Sequence, residues 1–368
     1  MRYMRCACQA ENPKKQRRKT MRWEDVVSWI LPVFLCTVFL GLTLYINGNV
    51  YLGLPKSQDE VVYLFQAETY SEGRLYQQSR SNAYEGYQYV FDDGLKRYGK
   101  YPPGWPLILA LGVKLGHPEI INPLIGAMNL YLIYVLGRKL FGETIGQLAQ
   151  LLAFASPVMA FISASYLSHP LCLFYVLVFL YSSLRTLETG LNRYAVYSAA
   201  SGGLALITRP YTAAILIGLA FFSLWITGYV KSRNPGKTQL ALFTLVMGFF
   251  ILVYGAYNTH MTGGLKSTEQ KYYEQNHPKR SNCNMLGFGE DRGCYPTYGT
   301  LGHNLGKGLK NIKTNLWLLS DTLFGWSITG FLFIPFILYE RRWRKINLFL
   351  LSATAALILG YGLYWNDG

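Results

Sequence analysis

Charge is scarce in this chain, and acidic charge scarcest. Charged side chains are 15% of its 368 residues, with 20 acids against 35 lysines and arginines. A soluble globular domain carries about 25%. No internal repeat is visible, which argues against a transporter built from two inverted halves. The Cys6-Ala7-Cys8 pair lacks both the spacing and the neighbouring histidine of a common zinc site. The first apolar run is too long for a signal peptide and has no small-residue cleavage site behind its basic tail.

What is abundant is apolar sequence. Hydrophobic residues make up 51% of the chain and aromatics 15%. They cluster in nearly charge-free runs at 26–46, 124–136, 145–162, 171–184, 213–230, 240–257, 323–339 and 346–363. A hydrocarbon core about 30 Å thick needs roughly 17–25 helical residues. The reading is an all-α polytopic membrane protein with about nine spans. They are predicted at 26–47, 121–138, 144–166, 169–185, 194–208, 211–230, 238–257, from 321 to the Glu340-Arg341-Arg342 patch, and at 346–363.

The net charge of +15 invites a nucleic-acid reading, but topology accounts for it better. With the N-terminus in the cytoplasm, the tail 1–25, Arg138-Lys139, Arg185, Arg193, 231–237 and 341–345 all fall inside, as positive charge should. Lys307 to Lys313 is the exception and sits in a long outer loop. Most acids fall outside, between Asp59 and Asp93 and between Glu269 and Asp291. The transmembrane domain is then 26–368, with a first outer loop and its surface helices at 48–120 and a second outer loop at 258–320. The stretch 101–116 is too short to span and is read as lying flat on the outer surface. The abrupt end at Trp365-Asn366-Asp367-Gly368 leads us to expect a continuation.

The outer face holds nearly everything polar. Asp59 and Glu60 follow the first span, either as caps of the next helix or as the acid/base pair of a reaction. Asp92, Asp93, Arg97 and Lys100 come back to the membrane surface ahead of Tyr101-Pro102-Pro103, which is a rigid turn or a cavity wall. His169 stands at a helix start. Arg209 either snorkels to headgroups or binds anions. Tyr257 and Asn258 end a span. Cys283 and Cys294 share the second outer loop, as free thiols or as the disulfide that the outer compartment permits. A carboxylate beside Arg and Lys suits chemistry on an anionic lipid, with the carboxylate as general base and the cations on a phosphate leaving group.

Three stretches in order, "DEVVYLFQAETYSEGRLY", "GKYPPGWPLILALGVKLG" and "NPLIGAMNLYLIYVLGRKLFG", resemble the dolichyl-phosphate-mannose-protein mannosyltransferase-like membrane glycosyltransferases, family 39 of GT-C fold. "ASPVMAFISASYLSHP", "ALITRPYTA" and "LFGWS" resemble its bacterial members. The resemblance implies an inverting glycosyltransferase of the bacterial inner membrane. Its donor would be a polyprenyl-phosphate-linked sugar used on the extracytoplasmic side, and its acceptor a lipid, polysaccharide or protein. It implies Asp59 as the essential carboxylate, with Glu60 beside it. Lys100, Arg209 and Arg97 would hold the donor phosphate, and Tyr101, Pro102, Pro103, His169, Tyr257 and Asn258 would line the substrate cavity. In related aminoarabinose transferases a Glu-Lys-Pro stretch helps bind metal and phosphate. Here Gly99-Lys100-Tyr101-Pro102 keeps the lysine and lacks the glutamate. A divalent metal is therefore a candidate cofactor only, with Asp59, Asp92 and Asp93 as candidate ligands. The competing readings are a flippase of lipid-linked sugars and a non-catalytic assembly subunit. The charge-free centres of several spans argue against the flippase.

Overall fold

The structure is a computed structural model describing residues 23–79, 89–227, 235–323 and 343–364, with 325 and 334 singly; of 23–29 it describes the backbone alone. Helix α1 (Trp23–Tyr45) ends in a π-turn, Ile46–Val50. Helix α2 (Gln58–Ser71) follows, then a small antiparallel sheet of β1 (Gln77–Gln78), β2 (Val90–Asp92) and β3 (Lys96–Gly99) in the order β1-β3-β2. Next come α3 (Gly104–Lys114), α4 (Ile121–Phe141), α5 (Glu143–Phe154), α6 (Pro157–Ala164), α7 (His169–Thr189), α8 (Asn192–Thr208) and α9 (Pro210–Phe221). The chain closes with α10 (Lys237–Thr262), α11 (Thr268–Asn276), α12 (Leu305–Thr322) and α13 (Arg344–Gly362).

Five helices are long and apolar enough to cross a membrane: Ile30–Val50, Pro118–Phe141, His169–Thr189, Lys237–Thr262 and Arg344–Gly362. The protein is an integral membrane protein. The expected continuous span 144–166 is instead the α5–α6 pair, bent by 62°. Pro157 is the cause: it lacks an N–H and pushes Ser156 out of the helical region, to ψ 118°. Counted as one span, the pair makes six. Helices α8 and α9 are short, and the span expected after residue 321 lies mostly outside the described residues, as do 1–22 and 365–368. Helix α12, eighteen residues long, occupies the end of the expected second loop and runs two residues past it.

The bundle has two chemically distinct ends. At one end Lys139 and Arg185 both pair with Glu188, and Arg138 pairs with Glu143. At the other end lies the α6–α7 turn, a hub for polar side chains. Asn47 donates to the Ala164 carbonyl at 2.7 Å, and Asn122 to those of Ser165 and Leu167 at 2.6 and 2.8 Å. Trp105 donates to the Tyr166 carbonyl at 2.7 Å. Irregular backbone at membrane depth is tolerated only where protein satisfies it. Side chains from the π-turn, α3 and α4 do so here.

Candidate active site

The site is built at that second end, starting from α2. Ser57 caps the helix, its Oγ accepting from the Glu60 N–H at 3.4 Å and donating back to Glu60 Oε1 at 3.1 Å. The other oxygen of Glu60, Oε2, accepts the Tyr166 N–H of the α6–α7 turn at 3.0 Å. Glu60 is buried and both its oxygens are occupied. This corrects the reading of Glu60 as a member of the acid/base pair: it ties α2 to the turn. Asp59 is half-buried at the first turn of the same helix. The Tyr101 hydroxyl is buried and faces the Asp59 carboxylate. Burial first, then Tyr63 and Asp59, hold that hydroxyl protonated.

Strand β3 delivers the cation. Gly99 allows the approach, since a Cβ there would meet the Gln66 and Val62 side chains at 2.5–2.6 Å. The next residue, Lys100, is 5% exposed. Its ammonium donates to Tyr273 Oη at 2.9 Å and sits 3.6 Å from the Tyr89 ring centroid. The Tyr273, Tyr101 and Tyr272 rings stand at 4.9, 5.0 and 5.8 Å. Ring faces attract a desolvated cation. Burial lowers the lysine's pKa, and the charges of Glu269 and then Asp59 oppose that.

Glu269 escaped the reading of candidate residues. It lies in the first turn of α11, which Ser267 caps by accepting from the Gln270 N–H at 3.1 Å. The Ser-x-x-Gln spacing of 267–270 is a capping-box signal that marks this helix inside the loop. Nothing in the sequence signals that α11 lands on Lys100. There the Thr268 hydroxyl donates to the Lys100 carbonyl at 2.8 Å.

A second cation enters from the α8–α9 junction. Arg209 donates from Nη1 to Ser168 Oγ at 3.1 Å, and the Tyr63 hydroxyl meets the same Oγ at 3.1 Å. Burial pushes Tyr63 up to about 12, with Arg209 opposing. Arg209, His169, Asn315 and Tyr361 form the polar side of a cavity of about 370 Å³, and Leu173, Leu216 and Leu357 its apolar side. The series Asp59–Tyr101–Tyr63–Ser168–Arg209 thus runs from the carboxylate to Arg209, and Lys100 stands over the Tyr101 ring.

The remaining candidates lie elsewhere. Arg97 is buried with its guanidinium carbon 5.5 Å from the Phe65 ring centroid. Asp92 and Asp93 serve their own turn: Asp92 Oδ1 accepts the Gly94 N–H, and Asp93 Oδ1 those of Leu95 and Lys96. No group of three His, Cys, Asp or Glu side chains suited to a metal occurs among the described residues. Pro102 and Pro103 lead into α3, with Pro103 at its N-cap. Tyr257 and Asn258 hold α10 to its neighbours: Tyr257 Oη meets Tyr70 Oη at 3.0 Å, and Asn258 Oδ1 accepts the Thr268 N–H at 3.4 Å. Cys283 and Cys294 are disulfide-bonded.

A lipid-embedded helical bundle with a carboxylate, two cations and a tyrosine-rich wall at one end has the makings of an integral membrane transferase. Residues 100–254, from Lys100 into α10, match the family described as dolichyl-phosphate-mannose-protein mannosyltransferase, which makes glycosyltransferase the class. Asp59 and Glu269 lie outside the matched residues. No curated protein and no solved structure matches the chain.

Proposed function

We propose that the protein transfers a sugar from a polyprenyl-phosphate donor to an acceptor hydroxyl on the extracytoplasmic side of the membrane. The observation that carries this reading is the meeting of Asp59, the buried Tyr101 hydroxyl that faces it and the caged Lys100 ammonium at one end of the bundle. The cavity beside Arg209 adds an apolar side suited to an isoprenyl chain and a cation suited to its phosphate.

The chemistry is one displacement. The acceptor hydroxyl gives its proton to the Asp59 carboxylate as its oxygen bonds to the anomeric carbon. The bond from that carbon to the phosphate oxygen breaks, and the polyprenyl phosphate leaves with the electron pair. Lys100 and Arg209 neutralise the charge that grows on it. A single displacement inverts the anomeric centre. The Tyr101 hydroxyl, held protonated beside Asp59, orients that carboxylate. Replacing Asp59 by Asn tests the assignment: transfer from a polyprenyl-phosphate sugar is expected to be lost while the protein remains inserted and folded. Unchanged turnover would refute it.

A further inference from the structure

Lys100 is a buried cation with no carboxylate in salt-bridge contact among the described residues. Such a group tends to shed its proton. Tyrosine rings attract the ammonium but carry no net charge, and the groups facing Lys100 are few. Asp59 approaches on α2, Tyr89 from the turn that leads into β2 and Tyr101 from the following residue; α11 brings Glu269, Tyr272 and Tyr273. Of the two carboxylates, Asp59 is assigned to the acceptor and changes charge during the reaction. Glu269 is left as the counter-charge.

The structure fixes Glu269 from three sides. Ser267 caps its helix. The Thr268 hydroxyl, 1% exposed, clamps that helix to the Lys100 carbonyl at 2.8 Å. The Tyr364 hydroxyl, just past α13, reaches Glu269 Oε1 at 3.2 Å. Burial and the Glu269 charge keep Tyr364 protonated, and its hydroxyl lies between Glu269 Oε1 and Asn284 Oδ1, the latter at 3.1 Å. We propose that Glu269 is a positioning residue for transfer: carried by the second loop and clasped by Tyr364, it is the counter-charge that keeps the tyrosine-caged Lys100 an ammonium for the donor phosphate. The consequence is that phosphate binding depends on α11 being seated, so the second loop contributes charge to the site as well as cover.

This rests on reading the site as one for a polyprenyl phosphate. The test measures binding of farnesyl phosphate to the full-length protein in nanodiscs, from pH 6 to pH 10. Wild type is expected to bind at low pH and weaken along an alkaline limb as Lys100 loses its proton. Glu269→Gln should move that limb down by about one pH unit, a tenfold loss at a pH on the limb. Its affinity at pH 6 should stay within about twofold of wild type, because there the lysine is protonated in both. Glu269→Asp should restore most of the shift, and Tyr364→Phe should move the limb in the same direction by less. Lys100→Arg should abolish the limb, because a guanidinium does not titrate in this range. An unmoved limb in Glu269→Gln overturns the proposal, and so does a loss uniform in pH, the mark of a merely structural residue. Should Glu269→Gln fail to fold, the limb of Glu269→Asp decides, a wild-type limb combined with full affinity supporting the role of the charge and a uniform loss refuting it. Failure of the wild type to bind at any pH refutes the polyprenyl-phosphate reading itself, a result visible before any variant is made.

Discussion

The Glu60 carboxylate accepts the main-chain N–H of Tyr166 across 106 residues of sequence, at 3.0 Å in a buried setting. Its other oxygen takes the hydroxyl of Ser57. Adjacent acids in the sequence therefore have unlike tasks. Removing Glu60 leaves a buried N–H without a partner, a loss of about 1–3 kcal/mol. Glu60→Ala is expected to lower the thermal unfolding midpoint in detergent. Glu60→Gln, which keeps an acceptor, should lower it less and retain most turnover.

Asp59→Asn should behave in the opposite manner. Its side chain is half-buried, and Asn keeps an oxygen toward the Tyr101 hydroxyl, so the midpoint should stay within a degree or two of wild type. Turnover should fall by about 10²–10⁴, the usual worth of a general base. Turnover assayed beside a thermal melt separates the two acids. A melt that moves with Asp59 and a rate that follows Glu60 would reverse the assignment.

Lys100 leaves a signature in stability against pH. Its folded pKa is lowered from 10.5, chiefly by burial. Between that lowered value and 10.5 the unfolded chain holds more protons than the folded one, so stability rises with pH. Below the lowered value the cost of burying the charge is present in full. Lys100→Met should therefore be favoured over wild type at neutral pH, and the difference should shrink as pH climbs toward 10.5. Urea or guanidinium melts at several pH values check this, and a difference that grows with pH contradicts it.

Gly104 opens α3 where it meets the end of α8. A Cβ there would lie 2.7 Å from the Ile207 carbonyl oxygen and 2.5 Å from Thr208 Oγ1. Main chain cannot rotate aside, so Gly104→Ala is expected to cost about 1–3 kcal/mol by overpacking. It should also weaken donor binding, because the displaced junction carries Arg209. Equal affinity for farnesyl phosphate in wild type and variant would show that the junction tolerates the shift.

How much of this was legible in the sequence varied with the range of the interaction. The apolar runs at 26–47, 121–138, 169–185, 238–257 and 346–363 became helices, because burial and lipid contact act on any such run. The brevity of α3 and the helix after Ser57 were equally visible, the latter from its cap. The bend at Pro157 was written locally and missed because hydropathy averages over it. Glu60, Glu269 and the Lys100 cage were not readable, since each depends on partners from 106 to more than 160 residues away. Two side chains in contact across that distance leave no periodic trace. Asp59, Lys100 and Arg209 were recognisable as polar residues at run ends, and the structure joins them through Tyr101, Tyr63 and Ser168.

The α6–α7 turn has a consequence for biogenesis. Its carbonyls and N–H groups are satisfied by Asn47, Glu60, Trp105 and Asn122, which belong to four elements emerging earlier from the ribosome. Those four side chains have no hub to bind until residues 164–167 arrive, and the turn cannot rest in lipid without them. Completion of this end is thereby tied to the order of synthesis: the hub can close only once α1 through α7 have all been made.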